Sequence, residues 1–444
     1  MPKAVAGAPY TIVAGDDLAG IAKQAYGDGR RWREIYAANE SVLRSGNPQI
    51  IFPGEVINIP GDAIAEVAEL DLFGLALPRL EGKDPDDFTI IINDQEIPVM
   101  SGRAFRAADT AATGWTAVVA FDPEDRDLVA ILKPFSYLSG KCYLGGELLI
   151  DGILYTVGPV LEKSRTAVLE GWSRTVDIID STAKSPYEAK NITLEARARA
   201  LVEPLGIKVI FDVDSDEIFK RVTIGKTETI FAHLAKLASQ RGVLITSTEL
   251  GELKFTLAAT GKPIGVIEEA FPPGQKYEAR YDGRKRFNSY KAIAQSPGRK
   301  AVRKSRSKFQ IAKDDNVPKS RTIAFTTDET TEGGMQRAAE WKRSKQVAES
   351  LTIPFPVSSW YGPDGKLWKE NTLVTAKSPT IYTPEGFDFL IRSVEYIFSE
   401  KGTSAVLNLV PPQVYTGEKL DEPWAPDSIR NRNLIERLAA GVGL

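Results

Sequence analysis

The sequence predicts a multidomain α+β protein: a small strand–helix–helix–strand module, then two β-rich stretches separated by an α/β segment. Three observations predict this. Apolar spacing within residues 10–60 switches from strand to helix periodicity and back. β-rich runs begin at Phe88 and return after residue 275, with helical spacing between them over roughly 186–260. The length of 444 residues also suits about three domains.

The module opens with Tyr10, Ile12 and Val13, a short strand signal. Gly15 turns the chain, and Asp16 or Asp17 can cap the helix that follows. Leu18, Ile21, Ala22 and Ala25 fall at i, i+3, i+4 and i+7, one helical face. Gly27-Asp28-Gly29 breaks that helix, and Trp32, Ile35, Tyr36 and Asn39 repeat the spacing on a second. Ile51-Phe52-Pro53-Gly54 turns into a strand from Glu55 to Ile59, ended by Pro60. These pieces resemble a LysM domain, above all Tyr10-Thr11-Ile12, Gly15-Asp16-Asp17-Leu18, Ile21-Ala22, Trp32, Ile35, Asn39, Pro53-Gly54 and Ile59-Pro60. The resemblance implies a shallow groove between Gly15, Asp16, Asp17 and Leu18 on one side and Pro48, Gln49, Ile50 and Ile51 on the other. Such a groove takes peptidoglycan or, in a docking variant, a protein partner.

Residues 61–87 read as a connector, and Phe88 to Ile92 as a strand. Asp151-Gly152, between Leu148-Leu149-Ile150 and Ile153-Leu154-Tyr155, is a strong hairpin-turn signal. A second turn is expected at Lys163-Ser164-Arg165. In the α/β segment Leu194, Ala198, Leu201 and Val202 share a helical face that Pro204 and Gly206 end. Ile207 to Phe211 reads as a strand; Phe231, Leu234, Ala235 and Ala238 mark a second helix, closed by Gly242. Strands at 243–246 and 254–257 pair around Leu250-Gly251. Further strands are expected at 377–382, 387–398 and 404–410, with a turn at Gly362-Pro363-Asp364-Gly365. From Thr416 the chain is polar, then weakly helical at 434–440.

A near repeat crosses this division. VGPVLEKSRTAVLEG begins at Val157 and VEYIFSEKGTSAVLNL at Val394. One gap aligns Thr166-Ala167-Val168-Leu169 with Ser404-Ala405-Val406-Leu407, the mark expected of two related hairpins.

Composition removes several function classes. The formal charge of −3 is too even for a general nucleic-acid binder. With Cys142 alone there is no intrachain disulfide, and with His233 alone an imidazole- or thiolate-rich zinc site lacks ligands. The opening MPKAVAGAPY carries no long apolar run, and no stretch approaches the ~18 apolar residues of a membrane span. Synthesis and folding in a cytoplasm are the expectation. Gly225-Lys226-Thr227 is no phosphate loop, because Lys220 occupies the place of the required glycine. Asp212, Asp214 and Asp216 begin like a calcium loop, but Glu217 and Thr223 stand at its glycine and glutamate positions. His233 falls off the Phe231, Leu234, Ala235 stripe and is expected on the surface. Arg299, Lys300, Arg303, Lys304, Arg306 and Lys308 read as a solvated basic loop. No catalytic set, metal site or cofactor is expected.

Separated phrases carry a second resemblance. PFSYLSG at 134–140, IDGIL at 150–154, GWS at 171–173, VDIIDS at 176–181, PLGI at 204–207 and ETIF at 228–231 come first. RGVLIT at 241–246, RFNSY at 286–290, LWKENTLV at 367–374 and GTSAVL at 402–407 follow in order. This order resembles the baseplate hub protein of Mu-like contractile-tailed phages over about 88–412. The resemblance implies two hub β-barrels with an α/β insertion, a homotrimer between tail tube and central spike, and no catalysis. It divides the chain into the LysM-like module at 1–60, a linker at 61–87, a first barrel at 88–185, the α/β domain at 186–274, a second barrel at 275–412 and a tail at 413–444. The expected function is structural: adapting a sixfold tube to a threefold spike, in the virion tail baseplate, after assembly in a bacterial host cytoplasm. Expected partners are the chain itself, the tube protein, the spike and a wedge or sheath-side protein bound through the module, with peptidoglycan as another. Neither sequence-specific nucleic acid nor a membrane is expected. The alternative is a tail-associated peptidoglycan hydrolase steered by the module.

Overall fold

The computed structural model describes residues 4, 8–13, 16–26, 32–39, 43–44, 51–59, 77–184, 186–214, 217–269, 277–294, 308–327, 329 and 331–416. The chain divides into two compact units, Met1–Arg79 and Leu80–Leu444.

In the first unit, strand Pro9–Thr11 pairs antiparallel with strand Val56–Asn58, and helices Leu18–Tyr26 and Trp32–Ala37 lie between them in sequence. The expected strand–helix–helix–strand order is present. Tyr10, Ile12, Leu18, Ile21, Ala22, Ile35, Ile57 and Ile59 form its core. Buried Asn39 locks the second helix to the last strand. Its Nδ2 donates to the carbonyls of Ile35 and Asn58, each at 2.7 Å, and its Oδ1 accepts from Asn58 N–H at 2.7 Å.

The second unit is built on a twelve-stranded sheet. Strand Val99–Ala107 of the first β-rich stretch pairs with Thr383–Ser399 of the second, from Ser393↔Ala107 to Phe398↔Gly102. The two stretches therefore share one sheet, and one core runs through both, including Trp115, Leu154, Trp360 and Phe389. Strand Val266–Glu268 joins this sheet beside Leu373–Ser378 rather than ending the α/β segment. Residues 80–87, expected in the linker, are bonded to this unit. Leu80 N–H donates to Gly146 O, and Asp86 accepts from Thr403 Oγ1 at 2.6 Å.

Each half contains the same three-strand meander around one long middle strand. In the first, Glu147–Leu161 pairs with Ser139–Leu144 and, on its other edge, with Arg165–Ser173; a bulge lies between Leu154 and Thr156. In the second, Thr383–Ser399 pairs with Leu373–Ser378 and then Gly402–Val410, with a bulge between Ile391 and Ser393. The two ladders overlap at Gly152 and Ile153 in one meander and at Leu390 in the other. Each bulge follows that overlap, where the extra residue bends and twists the strand toward its second partner. The aligned tetrapeptides of the near repeat sit on the third strand of each meander.

The hairpin expected at Asp151-Gly152 is not there. Both residues lie inside Glu147–Leu161, and the turn is made by Gly145 and Gly146, whose φ values are +53° and +80°. Two adjacent positive φ angles are what a two-residue hairpin turn requires. Gly152 serves another purpose: a Cβ there would lie 2.1 Å from Trp172 O, so glycine permits the close backbone approach.

The α/β segment carries helices Leu194–Val202 and Ile230–Ser239, capped by the hydroxyls of Thr193 and Thr229, over strands Val209–Asp212, Leu253–Thr256 and Leu244–Ser247. Strands Glu188–Ile192 and Phe219–Thr223 add an unexpected antiparallel pair. His233 is buried, not exposed, and its Nε2 accepts from the Nε of buried Arg197 at 3.3 Å. The buried stripe of its helix is Ile230, His233, Leu234, Leu237 and Ala238, rotated from the stripe expected. Within the second β-rich stretch, helix Glu332–Ser350 was also unexpected. It covers the small sheet Phe309–Lys313, Ser289–Ala294, Thr322–Thr327, placing Ala339 against Tyr290, Ala292 and Ala312.

Candidate docking surfaces

The described groove residues of the first unit, Asp16, Asp17, Leu18 and Ile51, take part in holding it together. Asp16 Oδ2 accepts from Tyr10 OH at 2.9 Å and Val13 N–H at 2.8 Å. Asp17 Oδ1 accepts from Gly20 N–H. Leu18 lies in the core, and Ile51 packs against it. Glu55 accepts from the N–H groups of Phe52 and Arg44, which together lower its pKa. Gly15, Pro48, Gln49 and Ile50 lie outside the described residues, as do Arg299, Lys300, Arg303, Lys304 and Arg306 of the basic run and residues 417–444.

In the second unit a buried charge cluster joins three segments. Arg106 stands at an inward-facing position of Val99–Ala107, after Gly102 and Ala104 in the strand alternation. Its Nε donates to both Glu370 oxygens, at 3.0 and 3.1 Å, and its Nη2 to Oε1 at 2.8 Å. Nη1 donates to Leu149 O at 2.8 Å and Nη2 to Ser247 O at 3.0 Å. Glu249 Oε1 lies 3.2 Å from Arg106 Nη2 and 3.4 Å from Lys369 Nζ. Burial works against the Glu249 charge, yet Arg106 and Lys369 pull its pKa down to about 2. Burial likewise opposes the Arg106 charge, and Glu249 and Glu370 overcome it, raising its pKa above the ordinary arginine range. A fork-shaped cation with paired carboxylates and two carbonyls is well satisfied in a dry site. It holds both β-rich stretches and the α/β segment in one arrangement.

A second cluster anchors helix Gln413–Thr416. Asp109 Oδ2 accepts from Arg392 Nε and from Tyr415 OH, each at 2.9 Å.

The surface carries exposed aromatics on strained backbone. Among the described residues seven non-glycine positions have positive φ. Asn93, Asp94, Asn191 and Asn371 are of the types that tolerate it. The other three are Phe135, Tyr137 and Tyr382, which are 82%, 59% and 56% exposed. The Tyr382 ring stands 5.9 Å from that of Tyr281, at the mouth of a hollow of about 330 Å³.

Among the described residues no group of three His, Cys, Asp or Glu could hold a metal ion, and no helix is long and apolar enough to cross a membrane. Residues 175–257 match the family model for baseplate hub protein gp44-like, second domain. Residues 330–418 match the model for Mu phage baseplate assembly protein GpP, fourth domain. The baseplate hub protein gp44 of Escherichia phage Mu is 28% identical over 333 residues, 69% of this chain and 86% of that one. The chain is similar to gp44-like baseplate hub and tail proteins.

The 43 kDa tail protein of prophage MuSo2 from Shewanella oneidensis agrees, with 25% identity and a TM-score of 0.61 over 74% of the gp44-like chain and 98% of its own. These relatives are structural hub or tail proteins, not enzymes. A 51-residue segment, 12% of the chain, is 43% identical to the potassium binding protein Kbp of Escherichia coli and spans 33% of that protein. In the gp44-like chain the Arg106 cluster ties Glu249, inside one matched hub domain, to Glu370, inside the other. Sequence reasoning missed this cluster. The available signal was an arginine at an inward position of an alternating strand.

Proposed function

We propose that the chain is a homotrimeric baseplate hub in a virion tail, adapting a sixfold tail tube to a threefold spike. The observation that supports it is the duplicated meander, each copy with a long middle strand bulged where it changes partners. Three chains with two similar modules each offer six similar surfaces to a tube while keeping threefold symmetry toward a spike. The modules at 88–185 and 275–412 alternate about a channel, and the basic run at 299–308 lies outside its lumen, since tight phosphate binding would slow DNA passage. The N-terminal module, with its LysM-like order, docks on another tail component such as a wedge or sheath-side protein. The use of Asp16 and Asp17 in internal bonds favours docking over glycan binding. Assembly occurs in the bacterial host cytoplasm.

The test is stoichiometry. Purified chain mixed with its tube protein should co-sediment at three chains per six tube subunits. A one-to-one ratio would exclude the adaptor role.

A further inference from the structure

Phe135 and Tyr137 form a projecting knob. They sit in the loop between helix Arg126–Ile131 and strand Ser139–Leu144, beside residue 138, whose side chain packs on the core. Tyr137 rests edge-on against Tyr155 at 5.9 Å, while Phe135 is 82% exposed. Tyr281, Leu351 and Tyr382 line a hollow of about 330 Å³ in the other β-rich stretch. Knob and hollow share one peculiarity: the three aromatic residues held at positive φ, at +61°, +50° and +62°, are all in these two places. Aromatic side chains rarely adopt that conformation, so the backbone here presents rings outward against its own preference.

Charge flanks the two places with opposite sign. The approach to the knob exposes Asp122, Glu124, Asp125 and Asp127 against Arg126 and Lys133. Beside the hollow run Arg280, Arg284 and Lys285, of which Arg280 and Arg284 share Asp282 as partner and leave a net positive rim, while Arg286 is nearly buried against Asp314. The side chains of Arg280 and Arg284 are 68% and 78% exposed.

We infer that the Phe135–Tyr137 knob of one chain seats in the Tyr281–Tyr382 hollow of a second copy, with the acidic loop against the basic collar. This rests on the homotrimer reading and gives it a contact. Because knob and hollow are different surfaces, the contact is heterologous and repeats head to tail until a ring closes. Exposed aromatic anchors entering a pocket, with charges at the rim, are what such contacts use.

The test mixes two broken copies. One full-length chain carries Phe135→Ala and Tyr137→Ala; another carries Tyr281→Ala and Arg280→Glu. Masses are read by light scattering and native mass spectrometry, with cooperative thermal unfolding checked for each. The expected result is that wild type is trimeric, that each variant loses at least about 30-fold in self-affinity, and that an equimolar mixture gives a heterodimer. Recovery of the heterodimer also shows that both variants are folded. Variants that stay trimeric overturn this contact and leave the ring intact. Weakened variants that form no heterodimer on mixing overturn the pairing of this knob with this hollow. A monomeric wild type overturns the homotrimer reading and the contact with it.

Discussion

Arg106 and Glu370 lie 264 positions apart and meet as a buried ion pair, with Arg106 Nε 3.0 and 3.1 Å from the two carboxylate oxygens. Each lies on a different β-rich stretch, and Ser247 and Glu249 of the α/β segment close round the same guanidinium. Removing one partner of such a pair strands a charge in a dry site. Glu370→Ala is expected to lower stability by about 3–5 kcal/mol, measured by chemical denaturation. A loss under about 1 kcal/mol would mean that the cluster does not hold the segments together.

Acid should loosen the same junction. Glu249 has a pKa of about 2 in the folded chain, below its ordinary carboxylate value, so the unfolded chain takes up the proton first. The contribution is full above about pH 5 and lost as pH falls toward about 2, on the order of 3 kcal/mol. Melting temperature measured across that window should fall less steeply in Glu249→Gln than in wild type. Equal slopes would contradict the assignment.

Gly152→Ala separates a strand position from a turn position. A turn residue would tolerate alanine at small loss. Here the new Cβ meets Trp172 O at 2.1 Å and Trp172 C at 2.6 Å, both backbone atoms of the neighbouring strand. The substitution is expected to destabilise by more than about 2 kcal/mol, read from the denaturation midpoint.

Deleting residues 1–60 should leave the rest folded, since the chain parts into Met1–Arg79 and Leu80–Leu444. The shortened chain is expected to keep its own oligomer and to recruit a tail partner poorly. Normal particle assembly by the shortened chain would contradict the docking role of the module.

The sequence carried the element order well and the partnerships poorly. Periodicity located helices 194–202 and 230–239 because their buried positions include large apolar residues such as Leu201, Leu234 and Leu237. It missed helix Glu332–Ser350, whose buried positions are mostly Gly, Ala and Ser, with Met335, Trp341 and Val347 the large exceptions. Asp151-Gly152 misled because the dipeptide signals a turn equally well when its glycine only relieves a close strand crossing. The near repeat at Val157 and Val394 did lie on matching meanders. The pairing of Val99–Ala107 with Thr383–Ser399 joins residues too distant for any local pattern to disclose. Asp17 was legible as a cap of the helix that follows, and its Oδ1 accepts from Gly20 N–H, but sequence could not say that Asp16 Oδ2 binds Tyr10 OH and Val13 N–H within the module.

Electron cryomicroscopy of the purified full-length chain, reconstructed without imposed symmetry, tests the adaptor most directly. Three chains in a ring are the predicted result, with six meander modules alternating about an open channel and Arg303 and Lys304 away from the lumen. A monomer, a ring of six chains using one module each, or density placing Arg303 and Lys304 along the channel would contradict it.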